Sequence, residues 1–67
     1  MNDVETFVQR SGRAARINRD DDLSHGREPV FMRATDAWRE FSNAVLKRPT
    51  DELQALFVDG WNGVDND

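Results

Sequence analysis

The sequence predicts an all-α fold: a small helical hairpin or three-helix arrangement, carrying an N-terminal helical arm on a flexible linker. Three observations predict it. Apolar residues recur at three- and four-residue spacing in three separate segments, good capping residues stand at their starts, and the two prolines, Pro29 and Pro49, fall at segment boundaries.

The first element begins after Asn2, which with Glu5 three residues later has capping-box chemistry, each side chain able to satisfy one orphan amide. A helix is expected over residues 3–17. Its apolar stripe runs through Val4, Phe7, Val8, Ser11 and then Ala14 or Ala15, while Gly12 weakens the middle by up to about 1 kcal/mol relative to alanine. Residues 18–29 show no apolar period and offer only Leu23 for burial, so they are expected to form a linker. Structureless connections of about 12 residues are uncommon inside compact domains. The first helix is therefore expected to act as an arm, apart from a core in residues 30–61 of one domain spanning 1–67.

Residues 30–48 carry the clearest periodicity, with Phe31, Ala34, Trp38, Phe41 and Val45 on one face and Val30, Ala37 and Ala44 widening it. Pro29 suits a first helical position, Lys47 and Arg48 suit the negative end of the dipole, and Pro49 ends the helix. An alternative start lies at Thr35 and Asp36, which cap better than Glu28 and would leave residues 30–33 extended. Thr50 then caps a third helix over residues 50–59, with Asp51 and Glu52 in its first turn and Leu53, Leu56 and Phe57 inside. Gly60 is expected as the left-handed residue past its end, with Trp61 folding back in a Schellman motif. A strand over residues 55–58, turning at Asp59 and Gly60, is the alternative. Residues 62–67 read as a loose tail.

Composition narrows function by exclusion. The chain has 67 residues, no cysteine and one histidine, His25, so neither disulfides nor a thiolate zinc site can staple it, and no metal or cofactor is expected. A core this small rarely supplies more than about 3–5 kcal/mol, which leaves association as the remaining source of stability. No apolar run nears the ~18 residues of a membrane span and no basic, apolar leader follows Met1, so a soluble intracellular protein is expected. The net charge of −4 is unevenly placed: residues 1–27 hold five arginines and five acids, residues 28–67 eight acids against three arginines and Lys47. Acidity in the second half disfavours polyanions there and favours a basic partner.

Four patterns invite chemistry. Arg10, Arg13, Arg16 and Arg19, spaced by three, form a stripe able to grip phosphates, but no aromatic interleaves for base stacking and Asp20, Asp21 and Asp22 follow at once, able to pair with those same arginines. The two helices flanking Pro49 have helix-turn-helix order, yet the second would present Asp51, Glu52 and Asp59 to DNA without one cation. The acid-rich stretches 20–22 and 59–65 lack calcium-loop spacing. Ser24 and His25, adjacent and without a third orienting group, do not make a nucleophile and base, so no enzyme is expected.

The functional expectation is a non-enzymatic accessory subunit or inhibitor, binding a larger protein or assembly through an apolar-aromatic helical face of Phe31, Trp38, Phe41, Val45, Leu56, Phe57 and Trp61. Tryptophan and arginine are enriched among interface anchors. Two alternatives stand beside it: nucleic-acid contact through Arg10, Arg13, Arg16 and Arg19, and a homo-oligomer paired along the Phe31–Val45 stripe.

Overall fold

A computed structural model describes residues 2–66. It contains helix α1 (Asp3–Ser24), helix α2 (Ala34–Val45), helix α3 (Asp51–Gly63) and one 3-10 turn (Val64–Asn66), with no strand among the described residues. The all-α, three-helix expectation holds; several boundaries move.

Helix α1 starts where its capping box places it, with the Glu5 amide donating to Asn2 Oδ1 at 2.8 Å and the Asn2 amide donating to Glu5 Oε1 at 3.1 Å. It then continues seven residues past the expected end, through Asp20, Asp21 and Asp22. These acids are held by neighbouring guanidiniums: Arg16 Nε lies 3.1 Å from Asp20 Oδ2, and Arg19 Nη2 2.9 Å from Asp20 Oδ1. The helix stops at a Schellman motif, in which Gly26 (φ 70°) donates to the Leu23 carbonyl at 3.2 Å and Arg27 donates to the Asp22 carbonyl at 2.8 Å. The linker thus shrinks to residues 25–33.

Helix α2 begins at Ala34, close to the alternative start at Thr35, and leaves residues 30–33 outside it. Val30 is 84% exposed, whereas Phe31 turns inward against the core. The helix ends at Val45, three residues short of Arg48, and Leu46 is already extended. Helix α3 starts as expected, the Leu53 amide donating to Thr50 Oγ1 at 3.2 Å. It runs through Gly60 to Gly63, so the strand alternative and the Schellman role for Gly60 and Trp61 both give way to helix. Of the expected tail, residues 62 and 63 are helical, 64–66 form the 3-10 turn, and Asp67 lies outside the described residues.

Gly60 stays helical because of what it touches. A methyl group added there would sit 2.0 Å from the Gln9 carbonyl oxygen, and one added to Gly12 would sit 2.0 Å from the Phe57 carbonyl oxygen. The two glycines face each other's helices and bring the α1 and α3 backbones into contact, so α1 is not a separate arm. It is half of the tightest helix pair in the molecule, closed further by Gln9 Nε2 donating to Asp59 Oδ2 at 2.7 Å.

Helix α2 lies more loosely across that pair. The buried apolar core is Val8, Ala37, Trp38, Phe57 and Trp61, flanked by Phe31, Phe41, Leu46, Leu53 and Leu56. Its aromatic rings form a continuous chain, Phe7 to Phe41 at 5.8 Å, Phe41 to Phe57 at 5.1 Å and Phe57 to Trp38 at 5.6 Å between centroids, all within the favourable range for tilted or offset pairs. The result is a flat layer, 35 × 26 × 15 Å, little thicker than one helix with its side chains. Its accessible surface of 4822 Å² exceeds the ~4300 Å² typical of a monomer of its mass. Three helices in a layer leave a broad face uncovered.

Candidate functional site

The residues expected to meet a partner separate into two groups. Trp38, Phe57 and Trp61 are 8%, 1% and 4% exposed and belong to the core, while Phe31, Phe41 and Leu56 are half-buried and Val45 is exposed. Of these, Phe31 and Phe41 line a groove between α1 and α2. Ser11, Ala14, Ala15 and Asn18 of α1 stand opposite Ala37, Glu40 and Phe41 of α2, with Phe31 and Phe57 completing a lining of about 390 Å³. A smaller depression continues it, sharing Ala15, Asn18 and Phe31 and reaching Asp22 and Val30. From Ser11 to Asp22 the two span roughly 16 Å, three helical turns. The larger part of the groove is open to solvent, unlike pockets that cover most of a small ligand's surface.

The α1 wall was hidden in the sequence by a merged stripe. Val8, Gly12 and Arg16, four apart, face α3, whereas Val4, Phe7, Ser11, Ala14 and Asn18, alternately three and four apart, run along a second face toward α2 and solvent. Val4 remains 52% and Phe7 48% exposed. The alternating spacing of Ser11, Ala14 and Asn18 was the available signal, but small and polar residues do not register as an apolar stripe.

The arginine stripe divides as well. Arg16 is buried, donates to the Trp61 carbonyl at 3.2 Å, and pairs with Asp20 and with Asp65 in the C-terminal 3-10 turn. The Asp65 and Asp20 carboxylates hold its guanidinium charged, raising its pKa against the opposing effect of burial. Arg19 lies 5.5 Å over the Trp61 ring, donates to the Met32 carbonyl at 3.0 Å, and pairs with Asp20. Arg19 and Arg16 together hold the Asp20 carboxyl below its ordinary value. These two arginines tie α1 to the end of α3 and to the loop before α2; Arg10 and Arg13 are the exposed members of the stripe.

Ser24 and His25 serve the end of α1. Ser24 Oγ donates to the Asp21 carbonyl at 2.9 Å, and His25 Nδ1 lies 2.8 Å from the same oxygen. A carbonyl can only accept, so Nδ1 carries the proton and cannot take one from Ser24. Asp21 and Asp22 are both paired with Arg27 at 3.0 Å. Among the described residues no three His, Asp or Glu side chains gather as a metal site, and no helix is long and apolar enough to cross a membrane.

On the groove's own lip the charges are unequal. Arg19 is matched by Asp20 and Asp22 by Arg27, but among the described residues no cation or donor meets the exposed Glu40 carboxylate. What the groove offers is therefore an apolar trough with small residues on both walls and one unmatched negative charge. Compared with family models, curated proteins and solved structures, the chain matches none.

Proposed function

We propose that this chain is a non-enzymatic accessory subunit or inhibitor that docks on a larger protein or assembly through the α1–α2 groove. The observation that supports the reading is the groove itself: an apolar trough three turns long, lined by half-buried Phe31 and Phe41, with exposed Phe7 in ring contact with Phe41. A trough lined by aromatic and small apolar side chains suits a partner whose own apolar side chains it can cover. Phe31, Phe41 and Val45 carry the contact in this reading, and the buried Trp38, Phe57 and Trp61 support it from beneath.

The test is affinity capture with the intact chain and two charged variants. Ala14→Arg puts a guanidinium in the trough at an exposed α1 position, and Ala55→Arg puts one on the outward face of α3. A protein retained by the parent and by Ala55→Arg but lost with Ala14→Arg is the expected result. Retention indifferent to Ala14→Arg refutes the reading. So does a sedimentation mass twice that of the chain which Ala14→Arg halves, because the groove would then be filled by a second copy.

A further inference from the structure

We infer that the groove's occupant is a single amphipathic α-helix of the partner with a lysine or arginine on the flank that meets Glu40. The inference rests on the reading of the groove as a docking surface and adds what docks there.

Backbone chemistry selects a helix. The long walls are two α-helices whose interior amides and carbonyls bond within their own turns, so they offer no free backbone edge, and the non-helical Val30 and Phe31 line only one end. An extended peptide laid into it would bury its own amides and carbonyls without partners, at a cost comparable to losing those hydrogen bonds. A helix satisfies its backbone internally and presents only side chains. The dimensions agree: the trough is three turns long, and Ala14, Ala15 and Ala37 on its walls permit close approach of a third helix. The occupant would take the fourth seat of a bundle of which this flat layer supplies three members.

Charge selects the flank. Among the described residues every other charged group lining the trough has a counterion and Glu40 has none, on a chain of net charge −4. A cationic helix gains on approach, through the field of the whole chain, and at contact, through Glu40. A second copy brings another −4 and the same unmatched Glu40, which disfavours it as occupant.

The probes are two synthetic helical peptides of about 18 residues, long enough to hold helical structure. Both carry leucine at positions i, i+3, i+4 and i+7; one has lysine on both flanks and the other glutamate at the same places. Binding to the intact chain is followed by amide chemical shifts and titrated at two salt concentrations. The lysine peptide is expected to move the resonances of Ser11, Ala14, Ala15 and Ala37 and to bind more tightly than its twin. Glu40→Gln is expected to weaken it about two- to fivefold and to flatten its salt dependence, the ordinary size of one exposed charge pair. Glu52→Gln, which removes the same formal charge from the first turn of α3, is expected to leave affinity within error. Equal binding of both peptides in the groove, or equal effects of the two substitutions, overturns the cationic-flank inference and leaves the docking surface standing. If neither peptide moves the groove resonances while Ala14→Arg still abolishes capture of a protein partner, the helix is the wrong occupant; if capture is also indifferent, both readings fall.

Discussion

Replacing Gly12 by alanine sets two effects against each other, and the structure decides between them. Alanine favours the interior of α1 by about 1 kcal/mol on propensity alone. Its methyl carbon, however, would lie 2.0 Å from the Phe57 carbonyl oxygen and 2.9 Å from the carbonyl carbon, both backbone atoms of a helix that cannot rotate aside. Restoring ordinary contact needs about 1.4 Å of local separation between α1 and α3, and a gap of even 0.5–1 Å forfeits a quarter to a half of each affected dispersion contact. Val8, Phe57 and Trp61 sit at this crossing and are nearly fully buried. Burial of each contributes about 1.5–3 kcal/mol, so loss of a third to a half of that outweighs propensity by about 2 kcal/mol. For a domain of this size that is a large share of the total, and the melting temperature should fall by about 10 °C. The assay is urea denaturation followed by circular dichroism and tryptophan fluorescence. Gly63→Ala is the comparator: it lies in α3 with nothing within 4 Å and should stabilise by up to about 1 kcal/mol. A Gly12→Ala protein as stable as its parent would refute the α1–α3 crossing as described.

Three further outcomes follow from the same packing. Asn2→Ala removes the side-chain half of the capping box, the bond from the Glu5 amide to Asn2 Oδ1, and should cost about 1 kcal/mol in unfolding free energy from urea denaturation, whereas no change would mean that α1 frays there already. Phe57→Ala, at 1% exposure, should cost about 3–5 kcal/mol and leave the chain largely unfolded at room temperature; a cooperative transition in that variant contradicts its central place in the core. Asp20 has its carboxyl held below the ordinary 3.8 by Arg19 and Arg16, so its ionised form favours folding, and that contribution is complete at neutral pH. It is lost as pH falls below 3.8 and through the lower folded value; stability should decline there in the parent and more shallowly in Asp20→Asn, and parallel acid limbs in the two proteins would disprove the linkage.

Local signals were legible and through-space ones were not. The Asn2–Glu5 box, the Thr50 cap and the α2 stripe each depend on residues within a few positions; the two caps stand where the sequence places them, and the stripe holds over Ala34, Trp38 and Phe41. Gly12 and Gly60 read as a weak point and a terminator because one strand of text shows only what glycine costs a helix, never which backbone leans against it. The extension of α1 through the acid triplet had a local signal in the arginines one and four residues earlier, and Gly26 after Ser24 and His25 was the available stop. Residue type marks the aromatic anchors in the sequence, but it cannot tell a ring that fills its own core from one that waits for a neighbour. Trp38, Phe57 and Trp61 do the former.

The dominance of the α1–α3 pair also bears on how the chain reaches this state. Its defining contacts join distant positions: Arg16 meets Trp61 across 45 residues and Gln9 meets Asp59 across 50. Small helical bundles usually fold in microseconds to milliseconds because neighbouring helices zip locally, whereas here the first helix must wait for the last before Val8 or Arg16 finds shelter. Closing so long an intervening loop costs entropy that no early contact returns. Folding should therefore be slow for an all-helical chain, and a cut in the loop between α2 and α3 should yield two pieces that are unstructured apart and recover helicity only when mixed.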